Sequence, residues 1–125
     1  MAAAKATVSI PDERYTWVGG NKYYALGTVA IGASPLTYTA GGMAMSLLVP
    51  LIKASRTPLK VTVSGRTGYI FKYIPGTDAS NGLLMIFVQD AVAGNPLLEM
   101  ADATAIPAAV SGDTIGFEAV FHGQE

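Results

Sequence analysis

Segment 114–122, TIGFEAVFH, alternates without a break: Ile115, Phe117, Ala119 and Phe121 fall on one side, Gly116, Glu118 and His122 on the other. A period of two marks a strand with one buried face. KVTVS (60–64) follows the same rule, with Val61 and Val63 opposed to Thr62 and Ser64. KYYALGTVAI (22–31) is rich in the aromatic and β-branched types that suit a pleated surface. After a Gly41-Gly42 turn, Met43, Met45, Leu47 and Val49 alternate against Ala44, Ser46 and Leu48, until Pro50 demotes the end to an edge or bulge. GYIFKYI (68–74) and LLMIFV (83–88) flank PGTDASNG, where Asn81-Gly82 can supply the left-handed conformations of a tight turn. The pattern predicts an antiparallel hairpin there.

Helix signals are poor by comparison. NPLLEMADA (95–103) has a Pro near its start and enough helix formers for a turn or two. Fourteen Gly and seven Pro divide the chain into segments of a few residues each, which points to many short strands joined by turns. The expected fold is all-β: an antiparallel β-sandwich, jelly-roll-like, with little or no helix. Residues 1–21 read as an N-terminal arm with a first strand, and 22–125 as one sandwich domain.

Composition changes the picture in one respect. Only 14% of the residues are charged, against a norm of about 25%. A compact monomer of this mass exposes roughly 6,300 Å², so eight basic and nine acidic side chains are spread at about one per 370 Å². Uncharged surface in that excess is most simply covered by other proteins, which predicts an assembly subunit; the competing reading is a monomer with a Thr/Ser/Gly surface. Residues 23 to 52 contain no Asp, Glu, Lys or Arg, yet Gly27, Gly32, Pro35, Gly41, Gly42 and Pro50 break the run too often for a bilayer-spanning helix. MAAAKATVSIP lacks the apolar core of a secretory leader, so the expected place is the cytoplasm or a particle assembled there.

The charges are also sorted. Lys53, Arg56, Lys60, Arg66 and Lys72 make 53–72 wholly basic, while Asp78, Asp90, Glu99, Asp102, Asp113, Glu118 and Glu125 are the only charges from 78 onward. Those segments can pair within the chain or between copies set head to tail. Five cations without a repeating spacing, in a chain of net charge −1, do not predict nucleic-acid binding.

Catalytic chemistry finds little support. There is no Cys, hence no disulfide, thiolate site or cysteine nucleophile. The single imidazole, His122, ends a terminal strand and no G-x-S-x-G elbow accompanies it. Asp12 and Glu13 are adjacent, so an extended backbone points them to opposite sides. GTDASNG lacks the ligands of a calcium loop, and SGRTG and TAGG are turns rather than phosphate cradles. The expectation is no enzyme, no metal and no cofactor. Tyr15, Trp17, Tyr23 and Tyr24 form a dense aromatic cluster, suited either to stacking on sugars or to a buried protein interface; the charge deficit favours the interface.

YALGTVAIGASPLTYTAGGMAMSLLV, SGRTGYIFKYIPGTDASNGLLMIFVQD and AIPAAVSGDTIGFEAVFHG together resemble small structural proteins of tailed bacteriophages, over about Lys22 to Gly123. The resemblance implies a virion component, a capsid cement or decoration protein on the capsid surface. Its implied partners are the major capsid protein and other copies of itself, as a homodimer or homotrimer, without nucleic acid or membrane. The alternatives are a carbohydrate- or receptor-binding module of a tail fibre, or a minor tail or head-tail protein. The expected contacts come from the N-terminal segment (Ala3, Lys5, Val8, Ile10), two aromatics (Tyr15, Trp17), the uncharged stretch (Tyr38, Met43, Met45, Leu47) and the basic stretch (Lys53, Arg56, Lys60, Arg66).

Overall fold

A computed structural model describes residues 3–12, 15–19, 22–49, 52, 57–88 and 97–122. Nine strands follow in chain order: β1 (Ala6–Ser9), β2 (Thr16–Gly19), β3 (Lys22–Ile31), β4 (Met43–Ser46), β5 (Lys60–Ser64), β6 (Ile70–Ile74), β7 (Gly82–Val88), β8 (Leu98–Glu99) and β9 (Ile115–His122). One short helix, α1 (Ala108–Ser111), precedes β9. The all-β expectation holds, but the strands do not separate into the two sheets of a sandwich. They run β1-β4-β7-β6-β5-β9-β3 and return to β1, closing a seven-stranded barrel.

Closure on seven strands has a geometric consequence. Directions that alternate around a ring cannot match on an odd number, so a neighbouring pair must run parallel. That pair is β1 and β4, in register only at Ala6↔Met45 and Thr7↔Ser46, whereas the remaining contacts around the ring are antiparallel. β1 belongs to the barrel rather than to an arm: Ala4, Ala6 and Val8 are buried in the chain's own core.

The interior is the face that period two selects. Val29 and Ile31 of β3, Met43 and Met45 of β4, Phe71 and Tyr73 of β6, Leu84 and Ile86 of β7, and Ile115, Phe117 and Phe121 of β9 are all buried. Small residues sit beside large ones, as a narrow barrel requires. Ala25 and Ala119 face each other in register at zero exposure, leaving room for the rings of Tyr23 and Phe121, whose centroids lie 6.0 Å apart.

The predicted hairpin forms as β6 and β7, paired from Ile70↔Phe87 to Ile74↔Leu83. Its loop uses different chemistry from the one expected. Among the described residues positive φ is confined to Gly41 (91°), Gly42 (125°), Gly68 (91°) and Ala103 (63°), so Asn81-Gly82 is not a left-handed pair. Instead the loop winds around the Asn81 side chain: the Thr77 and Asp78 N–H groups donate to its Oδ1 at 2.9 and 3.2 Å, and its Nδ2 donates to Thr77 Oγ1 at 2.6 Å. Gly82 is needed because the Tyr73 ring occupies the place of a Cβ. The helical turn expected within 95–103 is also absent from its described part, where Leu98 and Glu99 pair with Val88 and Phe87.

β3 is long enough to carry two strands in tandem on one edge: β1 pairs with its end (Ser9↔Thr28) and β2 with its start (Thr16↔Ala25). Between them the chain crosses Gly27, and Ile10 packs against the core. A Cβ on Gly27 would strike the Ser9 carbonyl oxygen and come within 2.8 Å of Ile10 Cδ1. Gly-to-Ala changes at ordinary φ normally stabilise by about 0.4–1 kcal/mol through the unfolded chain. Here backbone stands in the way, so Gly27→Ala is expected to destabilise by about 1–3 kcal/mol, as overpacking does. The check is a lower urea midpoint at unchanged slope.

Candidate interaction surface

Tyr38 leads into the Gly41-Gly42 turn, whose positive φ values suit glycine and let the chain approach β7: a Cβ on Gly42 would sit 2.8 Å from Leu83 Cβ. Tyr38 is 1% exposed, and the structure engages its main chain and its hydroxyl in both hydrogen-bonding roles. Its N–H donates to the Thr104 carbonyl and its carbonyl accepts from the Ala103 N–H, both at 2.8 Å. The hydroxyl donates to Glu99 Oε2 at 2.6 Å and accepts from the Ile86 N–H at 3.3 Å. This last contact lies where the free edge of β7 passes from β4 to β8, and it gives the Ile86 amide an acceptor between them. Burial first, and the Glu99 hydrogen bond second, push the Tyr38 phenol well above its ordinary range. It keeps its proton at neutral pH and acts as a brace.

Four acids of the second half of the chain have backbone partners. The Gly41 N–H donates to Glu99 Oε2 at 2.6 Å, the Ala40 N–H to Asp102 Oδ1 at 3.0 Å, and the Arg66 N–H to Asp113 Oδ2 at 2.8 Å. Asp78 accepts from both the N–H and the hydroxyl of Ser80, and those bonds lower its pKa. Glu99, Asp102 and Asp113, from the second half, thus pin turns in the first half and the middle. Lys5, Lys22, Lys60 and Lys72 are exposed.

Burial divides the expected contact residues. Val8, Tyr38, Met43, Met45 and Leu47 lie in the barrel's own core and cannot face a partner. The uncharged stretch is thus explained by self-burial: its inward residues fill the barrel, and of its large side chains Leu48 stands out at 53% exposure. Ile10 is half-buried; Ala3, Lys5, Tyr15, Trp17, Lys60 and Arg66 are exposed. Lys53 and Arg56 fall outside the described residues.

Three exterior features remain. On β6 and β7, Ile70, Ile74, Leu83, Met85 and Phe87 share the outward side with Lys72, a continuous apolar face. Sequence reasoning missed it as a surface, although LLMIFV carries the signal: an unbroken apolar run has two apolar faces, and only one can fill a barrel. Two shallow hollows flank the exterior of β1, one of about 430 Å³ between Ala3, Lys5, Thr7, Ala30 and Leu36, the other of about 320 Å³ towards Ala44, Ser46 and Val49. On β2 and β3, Trp17 and Tyr24 stack at 5.2 Å with 12° between their planes, while Tyr23 turns into the core. Rings turned towards each other offer only their outer faces; a sugar platform wants faces side by side. Among the described residues there is no cluster of three metal-ligating side chains and no helix long and apolar enough to cross a membrane.

Comparison with known proteins finds no matching family model, no matching curated protein and no matching solved structure.

Tyr73 provides a contrast to Tyr38. Its hydroxyl is buried with no hydrogen-bond partner, and burial, then the Asp78 charge, raises its pKa. Tyr38→Phe strands the Ile86 N–H and takes from Glu99 Oε2 one of its two donors, the Gly41 N–H remaining, and is expected to destabilise by about 1–3 kcal/mol. Tyr73→Phe removes a group that nothing satisfies, so it should be neutral or stabilising in the same urea titration. Both phenols titrate higher in the folded than in the unfolded chain, where the value is about 10. Above pH 10 the unfolded chain binds fewer protons than the folded one, so the stability present below pH 10 falls as pH rises through the folded values. Each Phe variant should show a shallower alkaline loss than the parent.

Proposed function

We propose that this chain is a non-enzymatic structural protein of a tailed-phage particle, a cement or decoration protein that binds the major capsid protein on the capsid surface. The single observation that carries the reading is the outward face of β6 and β7, where Ile70, Ile74, Leu83, Met85 and Phe87 lie together with Lys72 as their one charge. Ile70 and Leu83 are exposed and the other three half-buried, and an apolar patch left at the surface of a small domain marks an interaction site. The phage resemblance supplies the kind of partner, and the low charge density agrees with a subunit meant to be covered.

The mechanism is rigid multivalent clamping. A closed barrel holds its strands against one another, so it presents its face without first ordering a flexible segment. One such face is small beside the roughly 800 Å² per partner of a standard stable interface. Repetition over a shell adds many modest contacts, and further contacts between copies, as homodimer or homotrimer, add to them.

The test is co-expression with the major capsid protein of the same virus, followed by sedimentation of the shells. The chain should pellet with shells at a saturating ratio and raise their melting temperature. Ile70→Glu with Leu83→Glu, both at exposed positions, should leave the barrel folded by circular dichroism and weaken shell binding at least about tenfold, since two charges are desolvated against an apolar partner. A parent chain that stays in the supernatant, or a double variant that pellets unchanged, rejects the proposal.

A further inference from the structure

We infer that the open edge of β2 is a self-association site, where a second copy of this chain adds its own β2 antiparallel across a two-fold axis. Among the described strands β2 ends the sheet, with β3 on one side and no strand on the other. It is exposed along its length from Trp17 to Gly19, and an exposed glycine is exposed backbone. A sheet edge is a template for another strand.

Among the residues of β2 itself, nothing defends that edge. Proteins that keep an edge free place Lys, Pro or a bulge there. β2 reads TWVG, without charge or proline. Tyr15 is 41% exposed, Trp17 42% and Val18 63%, so both sides of the ribbon are apolar and open. Trp17 is held by its stack on Tyr24, its cross-strand partner, and needs no reordering to meet a neighbour. β2 also projects past β1 along β3.

The occupant follows from the shortness of the strand. A four-residue edge offers an extended peptide only a few backbone hydrogen bonds, each modest in net terms because water is displaced. Ordering that peptide costs conformational entropy at every residue, which cancels the gain. A second copy brings a β2 already ordered. An antiparallel edge is moreover its own complement under two-fold rotation, so each apolar contact is made twice. Joined in this way, β5-β9-β3-β2 of one copy continues into β2-β3-β9-β5 of the next. Exposed parts of two aromatics and a valine amount to far less than about 800 Å² per partner, so the contact is weak in solution. A two-fold edge contact also stops at the dimer, because pairing uses up the edge.

This inference rests on the fold and does not depend on the capsid reading, and its test uses the purified chain with no shell present. Sedimentation is followed from about 10 µM to about 1 mM, the range where a sub-standard interface shows itself. The parent should pass from 12.9 kDa towards twice that mass, with slower exchange, as concentration rises, of those β2 amides that face away from β3. Val18→Lys places a charge on the open edge and should raise the dimer Kd at least about tenfold. Leu48→Lys, at a 53% exposed site outside β2, should associate like the parent. A parent that stays monomeric to about 1 mM, a Val18→Lys chain that dimerises normally, or growth beyond a dimer that Val18→Lys does not stop would each overturn it.

Discussion

An odd number of strands cannot close a ring with alternating directions throughout, and much of this structure answers to that constraint. The mismatch falls between β1 and β4, whose parallel contact is in register at two positions only. β3 on the other side of β1 is paired over the full length of that strand. The exterior hollows border the same region, and the buried Ala4, Ala6 and Val8 beneath it show that the core is continuous across the seam. A parallel neighbour needs a long connection, and the chain supplies it by building β2 and β3 before returning to β4.

Tyr38 answers the second mismatch. The free edge of β7 is shared by two partial strands, β4 at its start and β8 near its end, and the ladder would otherwise leave the Ile86 amide unmatched in the core. A phenol fits there because it brings an apolar ring for the interior and a hydroxyl that both donates and accepts. Glu99 fixes the orientation of that hydroxyl, then holds Gly41 as well. One carboxylate thereby ties β8 to the turn that launches β4, across a sequence separation of 58 residues. Such a closed polar set is robust while complete and costly to break at one member.

The same economy shapes the surface. With Glu99, Asp102 and Asp113 directed at backbone amides, few charges are left to break up the apolar exterior of β6 and β7 or the uncharged edge of β2. The proposed capsid face lies on β6 and β7 of the ring and the proposed self-association edge on β2 outside it, so one copy can engage a shell and a neighbour together. Contacts that are individually weak gain from being made at once on a repeating lattice.

Strand periodicity was legible in the chain itself. Alternation at 43–49, 60–64 and 114–122 names the inward residues of β4, β5 and β9, because the two-residue repeat is a local property of extended backbone. The hairpin of β6 and β7 and the turn at Gly41-Gly42 were readable for the same reason. Closure into a barrel was not: period two says which side of a strand is buried, and a sandwich and a barrel bury the same side. Nor could composition tell that the uncharged stretch around Tyr38, Met43, Met45 and Leu47 lines the chain's own interior, since apolar residues look alike whether they meet their own core or a partner's. The roles of Glu99 and Asp113 also belong to tertiary structure, for hydrogen bonds at separations of 58 and 47 residues exist only after the strands have paired. Sequence alone determined which faces are apolar; three-dimensional closure decided which of them were used up inside the barrel and which were left for another molecule.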